Sequence, residues 1–205
     1  MIWSKQIRTV GAAAAAAALV LLANPVVAEE RGGAISVTTM VTEPQVSVTG
    51  IGNGAYRIEG SFGVNAPPHV AWAVLTDYDN LSSFVSSMRS SSAARPESGR
   101  LLVTQEAVGR AGPFSRILHV VLDVTEQPPD RIEFYDVCGA SFQSYAGAWA
   151  IDSDGVGTRV TYVLDARPRS SPPFFARSIL SSNARALLEQ VRLEMLRRTR
   201  TASEP

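Results

Sequence analysis

Two histidines, His69 and His119, a single cysteine, Cys138, and two close carboxylate pairs are the residues whose types suit catalysis or metal binding. His69 follows two prolines at a helix start, an exposed position, and His119 lies on the polar face of a strand, so neither is placed as a catalytic base. With Cys138 they also make a poor zinc set, because nothing shows the close spacing of zinc ligands. Asp77 and Asp79 lack a third ligand and read as helix caps, Asp79 for a short helix carrying Leu81, Phe84 and Val85. Asp152-Ser153-Asp154-Gly155 opens like a calcium loop. Its twelfth position is Val163, where a bidentate glutamate is required, so the stretch reads as a hairpin turn. Gly50, Gly52 and Gly54 depart from the dinucleotide spacing and lead into an alternating strand instead of a helix. Neither a nucleophile elbow nor a phosphate-cradling loop is present. No metal and no cofactor are expected, and acid–base chemistry would fall to Glu106 or a tyrosine.

The elements that must position these groups follow from periodicity. From Pro172 to about Arg198 apolar residues recur at helical spacing. Leu180, Ala184, Leu187, Leu188, Val191 and Met195 form one stripe, and Arg185, Glu189, Arg192 and Arg197 turn away from it. Pro172-Pro173 suits the entrance of this helix, and Arg192, Arg197, Arg198 and Arg200 gather where its dipole favours cations. Arg177 projects from the stripe one turn before Leu180. It reads as a side chain that snorkels at the rim of the core, with a ligand contact as the alternative.

Ahead of the helix, Val46 and Val48, the turn Asn53-Gly54, and Tyr56, Ile58, Phe62 and Val64 make a hairpin. Pro67 and Pro68 start a short helix carrying Val70, Ala71, Val74 and Leu75. Strands then follow over 88–94, 101–108, 115–126, 131–138, 143–151 and 158–166, separated by turns such as Pro128-Pro129-Asp130. Connections this short make an antiparallel meander. Leu118, Val120, Leu122 and Val124 mark the covered face of one strand, and Val160, Tyr162 and Leu164 that of the last. Cys138 reads as a half-buried packing thiol in its strand. A sheet curled around the long helix is the arrangement that covers the stripe.

Composition bounds the class. Lys5 and Arg8, the alanine-rich run from Val10 to Ala23, and small residues ahead of Glu29 have the pattern of a secretory signal peptide cut near Ala28. The run is shorter than the roughly 18–20 residues a membrane span needs. Cleavage would leave 177 of the 205 residues, with 17 basic and 19 acidic side chains. That length suits one domain, and the near-neutral balance supplies no footprint for nucleic acid. One cysteine makes no internal disulfide, so stability rests on the core. The expected organisation is a signal peptide over 1–28, a lead-in over 29–44, one domain over 45–199 and a tail over 200–205, with a periplasmic location. The basic end Arg197 to Arg200 reads as a solvated helix terminus, transient membrane contact being its alternative.

The order of hairpin, short helices, meander and long helix is joined by several local signatures. They are Ala66-Pro67, the run from Trp72 to Asp79 with Leu81 and Phe84, the run from Glu126 to Ile132, Gly147-Ala148-Trp149, Gly157-Thr158, Tyr162 and Pro172-Pro173. Together they resemble the START-like, polyketide cyclase/dehydrase superfamily, and within it the coenzyme Q-binding branch, from about Tyr56 to Arg198. The resemblance implies an α+β helix-grip fold, a curved antiparallel sheet wrapped around a long C-terminal helix with two short helices after the first strand. It also implies a tunnel between sheet and helix, closed at one end by the short helices.

Residues that would line such a tunnel are Trp72, Phe84, Leu118, Val120, Phe134, Phe142, Tyr145, Trp149, Tyr162, Phe174 and Leu180. Tyr145, Tyr162, Glu106 and Arg177 would be available for a polar head. Scaffolds of this kind carry many ligands, so fold alone does not name one. The expected function is that of an exported binding protein for a hydrophobic small molecule such as a lipid, quinone or isoprenoid. An exported cyclase/dehydrase-type enzyme acting on an aromatic or polyketide substrate is the alternative. A third reading is a filled core under Trp149 and Phe134 that leaves only the surface, for protein contact. The sequence names no protein partner.

Overall fold

The computed structural model describes residues 42–111, 114–153, 155, 157–169 and 176–203. The expected signal peptide, most of the expected lead-in, the expected Pro172-Pro173 helix entrance and Phe174 lie outside them. Strand β1 (Thr42–Gly52) turns into β2 (Ala55–Val64) through Asn53 and Gly54, whose φ angles are 50° and 73°. Positive φ at both central residues is what a two-residue hairpin turn needs. Helix α1 (Pro68–Leu75), a single 3-10 turn over Tyr78–Asn80 and helix α2 (Leu81–Phe84) follow. The chain then runs through β3 (Met88–Ala94), β4 (Leu101–Ala111), β5 (Phe114–Gln127), β6 (Arg131–Asp136), β7 (Phe142–Ser153) and β8 (Thr158–Pro168). It ends in helix α3 (Ala176–Ser203).

These eight strands belong to one antiparallel sheet in the order β1-β2-β8-β7-β6-β5-β4-β3, which with α3 is the expected helix-grip architecture. Alternation sets which side chains face the helix. Ile58, Phe62, Val160, Ile132, Val103 and Leu122 are buried on the concave face, and Leu188, Val191 and Met195 of α3 are buried against it. The close approach needs Gly60 on β2, because a Cβ there would overlap Leu188 Cδ1. Helix α1 buries the four residues its spacing selects, Val70, Ala71, Val74 and Leu75. Thr158 Oγ1 donates to the Ala66 carbonyl at 2.6 Å, which ties the start of β8 to the entrance of α1.

Four expectations change. Strand β1 begins inside the expected lead-in: Thr42 Oγ1 accepts the Gly63 amide at 2.8 Å, and the Pro44 carbonyl accepts from Arg185 Nη1 at 3.0 Å. Asp79 caps nothing. Its Oδ1 accepts the Ala93 amide at 2.8 Å, so it docks the short helices on β3. Asp77 likewise makes no cap; it accepts from Asn80 and pairs with Arg198 at 2.6 Å. Cys138 is exposed in the loop after β6 instead of half-buried in a strand. The cause is Asp136, whose carboxylate accepts the amides of Cys138 and Gly139, both at 3.1 Å, and so turns the chain out of the ladder.

The basic end of α3 is largely paired. Arg192 meets Glu189, and the nearly buried Glu194 accepts from both Arg197 and Arg198, each pair at 2.7 Å. Hydrogen bonds from Arg197 hold the Glu194 carboxyl below its ordinary pKa against the opposing effect of burial, and those from Arg198 add to this.

Trimming Leu188→Ala is expected to cost about 2–5 kcal/mol, and Gly60→Ala about 1–3 kcal/mol through overpacking. In urea unfolding, the double variant should lose less than the sum of the two, since the smaller side chain makes room for the new Cβ. Strict additivity would mean that the two positions do not touch in solution.

Candidate functional site

Between the concave sheet and α3 the packing is incomplete. Two lobes of empty space remain there, of about 120 Å³ and about 180 Å³. The inner lobe lies under the short helices, walled by Leu75, Tyr78 and Leu81 on that side and by Ile132, Phe134 and Trp149 on the sheet. The outer lobe lies toward the start of α3, between Leu118, Val120 and Phe142 on the sheet and Leu180 and Ala184 on the helix. The lobes meet at a neck whose residues line both: Val85, Met88, Gln105, Tyr145, Tyr162 and Leu187. The filled-core reading is therefore not what the packing shows.

The sheet side of the neck is an aromatic wall. Phe142 and Tyr145 have ring centroids 4.7 Å apart, Phe134 lies 6.0 Å from Tyr145, and Tyr162 and Trp149 are 4.4 Å apart. Such tilted contacts hold the rings in fixed orientations. Within the wall Tyr145 and Tyr162 lie close enough for each hydroxyl to influence the ionisation of the other. Burial pushes the Tyr162 hydroxyl well above its ordinary value of 10.0 and raises that of Tyr145 as well. Both phenols thus stay protonated at neutral pH and offer hydrogen bonds without charge. Tyr78, whose hydroxyl donates to Glu126 Oε1 at 2.9 Å, closes the inner lobe, and burial raises its pKa first and that bond second.

Of the residues expected along the tunnel, Leu118, Val120, Phe134, Phe142, Tyr145, Trp149, Tyr162 and Leu180 line one lobe or both. Three do not. Trp72 packs from α1 against the core outside either lobe, and Phe84 lies beneath the Arg198 guanidinium, 5.7 Å from ring centroid to Cζ. Arg177 is exposed, with its guanidinium beside Gly50 of β1. Phe174 falls outside the described residues.

Glu106 is on the wrong face for a ligand contact. It stands opposite His119 on β4 and β5, with His119 Nδ1 3.8 Å from its carboxylate on the convex side. The residue beside it, Gln105, shares the parity of the buried Leu101 and Val103 and reaches both lobes, and that parity was the signal for it. Among the described residues no three His, Cys, Asp or Glu side chains gather to hold a metal, and no helix is long and apolar enough to cross a membrane.

A family model described as polyketide cyclase/dehydrase and lipid transport matches residues 55–199. No curated protein matches the chain. Among solved structures, a Thermus thermophilus protein is 19% identical with a TM-score of 0.59, over 73% of this chain and 99% of its own. The Zhui aromatase/cyclase of Streptomyces sp. R1128 is 19% identical with a TM-score of 0.59, over 72% and 98%. A STAR-related lipid transfer protein from Xanthomonas axonopodis is 15% identical with a TM-score of 0.55, over 73% and 98%. At these identities the likeness is one of fold.

The buried phenols fix a pH dependence. A folded-state pKa above the unfolded value near 10 means that their contribution to stability is complete below about pH 10 and is lost as pH rises further. Urea unfolding followed between about pH 8 and pH 11 should show stability falling at the alkaline end, less steeply in Tyr162→Phe than in the parent. Equal slopes would place the Tyr162 hydroxyl in water.

Proposed function

The chain belongs to the polyketide cyclase/dehydrase and lipid transport family, and from that premise we propose that it is an exported binding protein for a neutral hydrophobic small molecule. The tunnel between sheet and α3 is the binding site. The observation that carries this reading is that, among the described residues, no charged side chain lines either lobe. Burying an isolated charge there would be heavily unfavourable, whereas an apolar guest gains from every buried ångström of its surface.

Each lobe is smaller than the roughly 300–1,000 Å³ of a typical ligand pocket, so a guest of ordinary size occupies both and passes through the neck. At the neck, Tyr145, Tyr162 and Gln105 offer hydrogen bonds to a single carbonyl or hydroxyl group. A lipid, a quinone or an isoprenoid with one such group meets these conditions, and the coenzyme Q-binding branch supplies the quinone as the member to try first. Export rests on Lys5, Arg8 and the apolar run from Val10 to Ala23.

The fold neighbour named an aromatase/cyclase keeps an enzymatic reading in view. An acid–base step would need a group in the tunnel that takes up a proton near neutral pH. His69 and His119 lie outside the lining, and the phenols that do line it hold their protons. The geometry therefore favours binding over turnover.

Native mass spectrometry of the protein purified from its own cell envelope, with organic extraction, should show a neutral hydrophobic adduct in one-to-one ratio and an N-terminus near Glu29. Titration with a short-tailed quinone, read by tryptophan fluorescence, should saturate. Tyr162→Phe should weaken binding about 2–10-fold, the range of one neutral hydrogen bond, and Leu187→Trp should fill the neck and abolish binding in a folded protein. A clean apo mass together with no saturation by quinones or lipids would remove the carrier reading, and conversion of an added substrate would replace it with the enzymatic one.

A further inference from the structure

The two flanks of α3 are sealed in different ways. Toward β1 and β2 the seal is core packing: Leu188 lies over Gly60, and Ala184, Leu188 and Met195 are buried. The other flank carries Asn183, Leu187, Gln190 and Glu194, which recur at helical spacing. Only Leu187 among them is apolar. Across from this flank runs the short connection between α2 and β3, Val85 to Ser87.

The same stretch is a wall of the cavity. Val85, Met88 and Leu187 line both lobes, and the exposed Ser87 and Asn183 line the outer one. The wall there is a seam between two elements, and what closes it is polar. The Ser86 amide donates to Gln190 Oε1 at 3.0 Å, and Gln190 Nε2 donates back to Ser86 Oγ at 2.7 Å.

Other contacts limit where the seam can part. Arg198 joins Asp77 at 2.6 Å and Glu194 at 2.7 Å, which holds its far end. The connection and the short helices are tied to the sheet. Tyr78 donates to Glu126, Asp79 accepts the Ala93 amide, and the Ser87 carbonyl accepts the Val108 amide at 2.7 Å. Between Asn183 and Gln190 the reciprocal bonds to Ser86 are the only hydrogen bonds seen among the described residues that cross from this flank of α3 to the connection.

We propose that the Ser86–Gln190 pair is the clasp of a side gate, and that the guest enters and leaves the cavity through the seam between Ser86–Met88 and Asn183–Gln190. The inference rests on the binding reading above. Parting the β1–β2 flank would bring Leu188 and Met195 into water, a large apolar cost. Parting the clasp exchanges two hydrogen bonds for bonds to water, a nearly balanced change. Ser87 and Asn183 are already exposed, so the lip of the seam needs no further desolvated group to open. The seam also leads straight to the neck, because Met88 and Leu187 stand on its two sides.

The test is the rate of guest exchange, read by stopped-flow tryptophan fluorescence with the short-tailed quinone, in the full chain carrying Cys138→Ser. Gln190→Ala should raise the association and dissociation rates together by about tenfold, the range of two neutral hydrogen bonds. Ser86→Ala, which removes one of the two, should raise them less. Kd should stay at the parent value in both, because the clasp closes the empty and the filled cavity alike. Ser86→Cys with Gln190→Cys, linked by a short bis-methanethiosulfonate, should slow both rates, and dithiothreitol should restore them. Arg185→Ala, which removes the bond to the Pro44 carbonyl on the β1 flank, should leave them unchanged. Parent rates in Gln190→Ala and in the linked pair, or faster exchange in Arg185→Ala instead, would overturn the gate. A parent that never saturates with guest would overturn the binding reading and the gate with it, whereas saturation with rates indifferent to the clasp would remove the gate alone.

Discussion

The contact on which the rest of this structure depends is the one between Leu188 and the bare backbone at Gly60. It sets how closely α3 lies on the sheet, and the helix makes its main contacts with β1 and β2, then with α1, and fewer with β4. Strands β5 to β8 belong to the same continuous sheet. Where the helix is held close, the core is solid: Leu188 and Met195 are fully buried. Where the concave face carries Phe134, Tyr145 and Trp149, the lobes remain between those rings and Leu187. The cavity is thus a consequence of anchoring the helix at one side of a curved sheet. A deeper side chain at position 60 would shift that anchor and change the volume of both lobes without touching either.

The end wall of the inner lobe has a different physical basis. A four-residue helix and a single 3-10 turn have no stability of their own, since nucleation is unfavourable and so few hydrogen bonds follow it. Their position is imposed from outside. Asp79 accepts an amide of β3, Tyr78 donates to Glu126 of β5, and the Ser86 amide and hydroxyl both meet Gln190 of α3. Arg198 then bridges Asp77 and Glu194, joining this segment to the far end of the long helix. Exposed ion pairs usually contribute little. Glu194 is shielded by α3 and its arginines, with its side chain 8% exposed, so here charge fixes geometry that packing alone leaves undetermined.

Most of this architecture was legible in the sequence because period and punctuation agree with tertiary burial. Asn53-Gly54, the two prolines before Val70 and the stripe on the last helix each appear where expected, to within a few residues. The misplaced residues share a cause. Local preference alone points Asp79 to capping and Cys138 to strand packing. Partners distant in sequence or loop geometry decided both. Glu106 differs by one residue: alternation gives the strand two faces, Gln105 with Val103 lies on the concave one, and Glu106 lies on the convex one opposite His119. The aromatic wall was legible as a set of large residues on covered strands. The closeness of Tyr145 and Tyr162 was not, because it depends on the register that places Ala166 opposite Tyr145 and Trp149 opposite Tyr162 on neighbouring strands.

The distribution of charge joins these features into one physical account. Among the described residues the ion pairs lie at the ends of the sheet, on its convex face or along the outer side of α3, and the space enclosed by sheet and helix is left to neutral groups. A guest in that space would gain from burial along its whole length at roughly 25 cal/mol per Å² of apolar surface, a force without direction or chemical preference. Direction comes from the polar groups of the wall, two phenols and one carboxamide at the neck with Ser87 and Asn183 in the outer lobe. The lobes would then set how strongly a guest is held and these groups how it is oriented. Substitutions that change lobe size should alter the length of guest accepted, while those at Tyr145, Tyr162 or Gln105 should alter which functional group the guest must carry.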